Sequence, residues 1–169
     1  TGTKVTCAAV GGNVNSSGSV EVTGDIGGNV NACTDISCTE IDGDVTGTKV
    51  TCAAVGGNVN SSGDVVVAGD ICGNVKTCTG ISCTEIDGDV TGTKVTCAAV
   101  GGNVNSIGNV GVTGDISGSV KTCTDISCTE IDGDVTGAKV TCAGVGGDVK
   151  SNGSIEAMGN ISGDVKGCT

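Results

Sequence analysis

The sequence predicts an all-β protein, a three-sided parallel β-solenoid (β-helix) of about eleven coils with 14–16 residues in each. Three observations predict it. TGTKVTCAAVGGNVN begins at residues 1, 46 and 91 and returns in relaxed form, TGAKVTCAGVGGDVK, at 136, so the chain repeats every 45 residues. Each block divides again into three related pieces, as in TGTKVTCAAVGGNV (1–14), NSSGSVEVTGDIGGNV (15–30) and NACTDISCTEIDGDV (31–45). Every piece carries Val or Ile at three fixed places. Self-similarity at a fixed short period marks a solenoid, and residues 1–169 read as one such unit built from repeats 1–45, 46–90, 91–135 and 136–169.

In chain order, the first apolar column runs Val5, Val20, Ile36, Val50, Val65, Ile81, Val95, Val110, Ile126, Val140, Ile155. The second runs Val10, Ile26, Ile41, Val55, Ile71, Ile86, Val100, Ile116, Ile131, Val145, Ile161. The third runs Val14, Val30, Val45, Val59, Val75, Val90, Val104, Val120, Val135, Val149, Val165. β-Branched residues fit a pleated strand. Isolated inward residues with Gly and small residues between them fit short strands joined by tight corners, and the Gly content opposes helix. At ~4.8 Å per coil the eleven coils make a thin rod roughly 50 Å long.

Composition narrows the class. There is no Leu, Phe, Trp, Tyr, His, Arg or Pro, while Gly is 32 and Cys 12. Cysteine at this density points to an oxidising, extracellular setting and a disulfide framework. Cys7, Cys38, Cys52, Cys83, Cys97, Cys128 and Cys142 stand two places after the first column. Adjacent coils set Cys38 on Cys52, Cys83 on Cys97 and Cys128 on Cys142, and the coil spacing lies within the Cα separation a disulfide accepts. Three bridges are therefore expected, with Cys33–Cys38 as the rival pairing. Cys33, Cys78, Cys123 and Cys168 occupy a corner once every three coils. A local bridge such as Cys72–Cys78 competes there with cross-links between molecules, for which Cys7, Cys33, Cys123 and Cys168 are the candidates.

Outward residues set the surface. Asp25 with Glu40 and Asp42, Asp70 with Glu85 and Asp87, and Asp115 with Glu130 and Asp132 form three acidic clusters 45 residues apart. Like charges on neighbouring strands repel, so each cluster calls for a cation: solvent counter-ions, Ca²⁺ with oxygen ligands, or Lys from a neighbouring molecule. Lys4, Lys49, Lys94 and Lys139 form a row of the same period on another face, with Asp35 a partner for Lys49 within the chain. Asn15, Asn60, Asn152 and Asn160 head N-x-S sequons, three of them expected at corners, and are candidates for glycosylation.

Several functions are excluded or disfavoured. Catalysis lacks a His, a phosphate loop and a nucleophile beside a base. Zinc lacks both CxxC and His. Nucleic acid lacks a basic track, since the net charge is −11 with eight Lys. No apolar run is long enough for a membrane span or a signal peptide, and no cofactor is called for beyond the Ca²⁺ alternative.

The short Thr- and Cys-rich coils resemble insect antifreeze β-solenoids in architecture over the whole chain. That resemblance implies a secreted protein with an ice-binding face of regular Thr-x-Thr pairs. Here the corresponding pairs run Lys4/Thr6, Ser19/Glu21, Asp35/Ser37 and Lys49/Thr51, so the ice motif itself is not matched. The run G-D-V, G-N-V, G-D-I also resembles the polymerising β-helices called bactofilins. The first coil carries no cap, and the partial coil Lys166–Thr169 follows a drifted fourth repeat (Ala138, Gly144, Met158). Open strand edges recruit other chains. The expectation is an extracellular structural protein that joins head to tail, and side by side, into disulfide-stabilised filaments, with Cys168 meeting Cys7 of the next subunit. A secreted ice-binding protein is the first alternative, and a Ca²⁺-binding spacer of an adhesin the second.

Overall fold

The computed structural model describes residues 2–77, 79–122 and 124–167. Because Val and Ile recur on the inward side of each short segment, the described residues wind as a ribbon of twenty-eight strands of two to four residues. All of them pair in parallel. Face one is an eleven-stranded sheet from Val5–Cys7 to Ile155–Ala157, and face three an eleven-stranded sheet from Val14–Ser16 to Val165–Gly167. Face two lies between them and is much thinner. It holds two-stranded pairs, Glu40–Ile41 with Ala54–Val55 and their equivalents 45 and 90 residues on. Single-residue bridges such as Ile26 to Ile41 and Val55 to Ile71 complete its ladder. No helix among the described residues is long and apolar enough to cross a membrane.

The register matches the predicted columns. Val20 pairs with Ile36, Ile36 with Val50, Val50 with Val65 and Val65 with Ile81. On face three Val30 pairs with Val45, Val45 with Val59 and Val59 with Val75. Every column residue is buried from Val14 through Val149. The exceptions lie in the first and last coils, where Val5, Val10, Ile155 and Ile161 are half-buried and Val165 is 52% exposed.

Two further inward columns complete the core. One sits two places after the first column and holds Val22, Cys52, Val67, Cys97, Val112 and Cys142, all buried. The other sits two places after the third column and is made of small residues: Ser16, Ala32, Gly47, Ser61, Thr77, Gly92, Ser106, Thr122, Gly137, Ser151. Its serines are buried and satisfied: Ser61, Ser106 and Ser151 donate through Oγ to the carbonyls of Thr48, Thr93 and Ala138 at 2.7, 2.8 and 2.8 Å. Its glycines leave room for isoleucine, since a Cβ on Gly47 or Gly137 would stand 2.6 or 2.9 Å from Cδ1 of Ile36 or Ile126.

The corner entering face three is held by a side-chain ladder running the whole rod. Asn13 Oδ1 accepts the backbone N–H of Asn29 at 2.8 Å, Asn29 that of Asp44 at 2.8 Å, Asp44 that of Asn58 at 2.7 Å, and Asn58 that of Asn74 at 2.9 Å. The series continues through Ser119 and ends with Asp148 accepting from Asp164 at 2.8 Å. A glycine precedes the ladder residue in every coil. No described residue has a positive φ, so these glycines answer a demand for space: a Cβ on Gly43 would lie 2.2 Å from Asn29 Oδ1.

The expected disulfide staples are not formed. Cys38, Cys52, Cys83, Cys97, Cys128 and Cys142 are free thiols, as are Cys7, Cys33 and Cys72. The physical reason lies in the parallel stacking. Cα atoms one coil apart satisfy the disulfide range, but side chains on equivalent places point the same way, so their Cβ atoms stay roughly 4.8 Å apart. A disulfide needs about 3.8 Å between them. The rival bridge Cys33–Cys38 is likewise not formed. Cys78, Cys123 and Cys168 lie outside the described residues, and with them the Cys72–Cys78 and Cys168–Cys7 links.

Candidate interaction surfaces and thiol pairs

Strand alternation turns each residue flanking an inward Val or Ile toward solvent, and on face two these residues segregate by charge. Asp25 and Glu40 flank the bridged Ile26 and Ile41, with Asp42 following Ile41. All three are exposed, as are Asp70, Glu85, Asp87, Asp115, Glu130 and Asp132. The carboxylates project outward from neighbouring rungs and do not converge. Among the described residues, no group of three or more Cys, Asp or Glu can hold a metal ion. The rungs between clusters carry only Ala54 and Gly56, or Ala99 and Gly101.

The lysines lie elsewhere. Lys4, Lys49, Lys94 and Lys139 edge face one, and Lys76, Lys121, Lys150 and Lys166 stand outward on face three. Lys4 pairs with Glu21 at 3.1 Å and Lys139 with Glu156 at 3.5 Å, both exposed pairs of the kind that contributes little stability. Asp35 sits opposite Lys49 in register. Asp64, one coil further on, accepts from Thr79 Oγ1 at 2.6 Å and from the Gly80 N–H at 3.1 Å. Those two bonds, with Lys49 nearby, hold its carboxyl below the usual range.

The thiol pairs lie where the strands of face one end. The Cys38 N–H donates to the Thr51 carbonyl at 3.3 Å, and the Cys83 N–H to that of Thr96 at 3.3 Å. These bonds set each half-buried cysteine beside a buried one, Cys52 or Cys97. Within each of these two pairs the thiols act on one another's proton. The Cys38 thiol is lowered by its bond from Cys52 while Cys52 is raised; Cys97 is lowered and Cys83 raised in the second pair. In the third pair burial dominates, pushing Cys128 to about 12, with Cys142 and Asp115 adding to the rise.

The remaining sequence candidates are dispersed. Cys33 is exposed at its corner, its N–H on the Ser16 carbonyl at 3.2 Å and its own carbonyl accepting from Thr48 Oγ1 at 2.9 Å. Cys72 is exposed beside Ile71. Of the sequon residues, Asn15 and Asn60 stand mid-strand on face three, a correction to the expected corner positions. Asn152 and Asn160 lie outside strands, and all four are exposed. Sequence reading missed the Asx ladder and the inward serines because a polar residue beside glycine reads as a turn. The invariant Gly before every ladder residue was the available signal. No protein-family model, curated protein or solved structure matches the chain.

Proposed function

We propose that the protein is a structural rod that associates with copies of itself into filaments. The observation carrying this reading is the identity of the rungs. Each coil stacks on the next in one parallel register along two eleven-stranded sheets, so the edge of one rod is shaped to continue the sheets of another. Side-by-side packing is supported by charge. Face two carries acidic clusters and no lysine, while face one carries a lysine row of the same 45-residue period and face three carries Lys76, Lys121 and Lys166 at that period with Lys150 between. An extracellular setting enters the proposal on the cysteine count alone, since the described cysteines are free thiols. Catalysis has no part in it.

Sedimentation of the purified chain across protein and salt concentration tests the reading. Species larger than one chain are expected at low salt. Lateral association should weaken as salt screens the opposed faces, and should be lost in a Lys49→Glu, Lys94→Glu double variant that stays folded. A single rod at every concentration and salt would overturn the proposal. Thermal hysteresis in the same preparation would favour ice binding instead.

A further inference from the structure

We infer that each thiol pair, Cys38 with Cys52, Cys83 with Cys97 and Cys128 with Cys142, is a binding site for one thiophilic monovalent metal ion of the Cu(I) or Ag(I) kind, held between two sulfurs. The inference is independent of filament formation.

The donor set decides the ion. Each pair joins neighbouring coils: the N–H groups of Cys38, Cys83 and Cys128 donate to the carbonyls of Thr51, Thr96 and Thr141 at 3.3, 3.3 and 3.2 Å, which sets each one beside the cysteine that follows that threonine. No third ligand group is near enough among the described residues. The register places valines in the same column on either side, with Val67 against Cys52 and Val112 against Cys97. Tetrahedral zinc needs four donors and calcium needs six or more oxygens. A soft ion content with two thiolates is what remains.

Access and charge fit as well. Cys38 opens onto a surface groove lined by Glu21, Val22, Thr23, Ser37 and Thr39. Cys128, 90 residues on, opens onto an equivalent groove that includes Val112, Thr113, Ser127 and Thr129. The inner sulfurs belong to Cys52, Cys97 and Cys142, which are 6%, 4% and 1% exposed. Asp25, Asp70 and Asp115 act on Cys38, Cys83 and Cys128 respectively, adding a negative potential that draws a cation inward. On binding, two S–H bonds break, two sulfur–metal bonds form and two protons leave to solvent. No electrons move. Affinity therefore rises with pH until both protons have gone.

The test is anaerobic titration of the fully reduced chain with Cu(I) against a chromophoric chelator. Three tightly held equivalents are expected per chain, with two sulfur neighbours around copper by X-ray absorption. Cys52→Val, Cys97→Val and Cys142→Val should each remove one equivalent. Val22, Val67 and Val112 already fill that column in other coils, so these variants keep the packing. Cys33→Ser and Cys72→Ser should remove none. Retention of all three equivalents in the triple Val variant, or an equal loss from Cys33→Ser, would overturn the inference.

Discussion

Gly57 stands where two coils approach closely, and its missing side chain is what lets them meet. A Cβ there would lie 2.6 Å from Asp44 Oδ1 and 2.7 Å from the Gly43 carbonyl carbon, whereas one on Gly12, the same place in the first coil, would meet nothing within 4 Å. Gly57→Ala should therefore destabilise the rod by about 1–3 kcal/mol in a denaturant melt, with Gly12→Ala close to neutral. The cysteines give a second test at this scale. The Cys38 thiol is lowered and half-buried, while that of Cys128 sits at about 12. A lowered group is more ionised at a given pH, and the thiolate is the nucleophile. Alkylation near neutral pH should thus mark Cys38 well before Cys128, a difference that closes only as pH approaches the Cys128 value; equal rates by peptide mapping would contradict the assignment. Sequence made the Val and Ile columns legible because bulk and β-branching repeat at fixed places. It hid the role of Asn29 and Asp44, whose importance lies in a bond to the next coil.

Among the elements, the contrast between the faces matters most. Faces one and three are continuous sheets, while face two is bridged one or two residues at a time. The core beneath face three depends on small buried residues. Ser106 donates to the Thr93 carbonyl at 2.8 Å and accepts from the Gly108 N–H at 3.3 Å while only 2% exposed. Ser106→Ala should cost about 1–3 kcal/mol, since both Ser106 bonds go and the Gly108 N–H loses this acceptor; Thr, already present at the equivalent Thr122, should restore most of it. In a solenoid each coil touches only its neighbours, so the damage should remain local, read as faster amide exchange in the coils flanking Ser106 alone. The strands and their register were legible from the apolar period. The staples were not, because two cysteines on neighbouring parallel strands satisfy a sequence rule about spacing while their Cβ atoms, held side by side, miss the geometry of the bond.

For the whole molecule, one rung geometry repeats along the chain, and the proposed filament continues it from chain to chain. The columns are buried from Val14 to Val149 and opened only in the first and last coils, where Val165 is 52% exposed. In the proposed filament, the acidic face two of one rod lies against a lysine-bearing face of the next. Cryo-electron microscopy of the assembled protein, with its power spectrum, tests this most directly. The account predicts filaments far longer than the roughly 50 Å of a single rod, with a strong axial repeat at ~4.8 Å that runs unbroken across chain junctions. Particles of one rod length only, or filaments lacking that axial repeat, would contradict it.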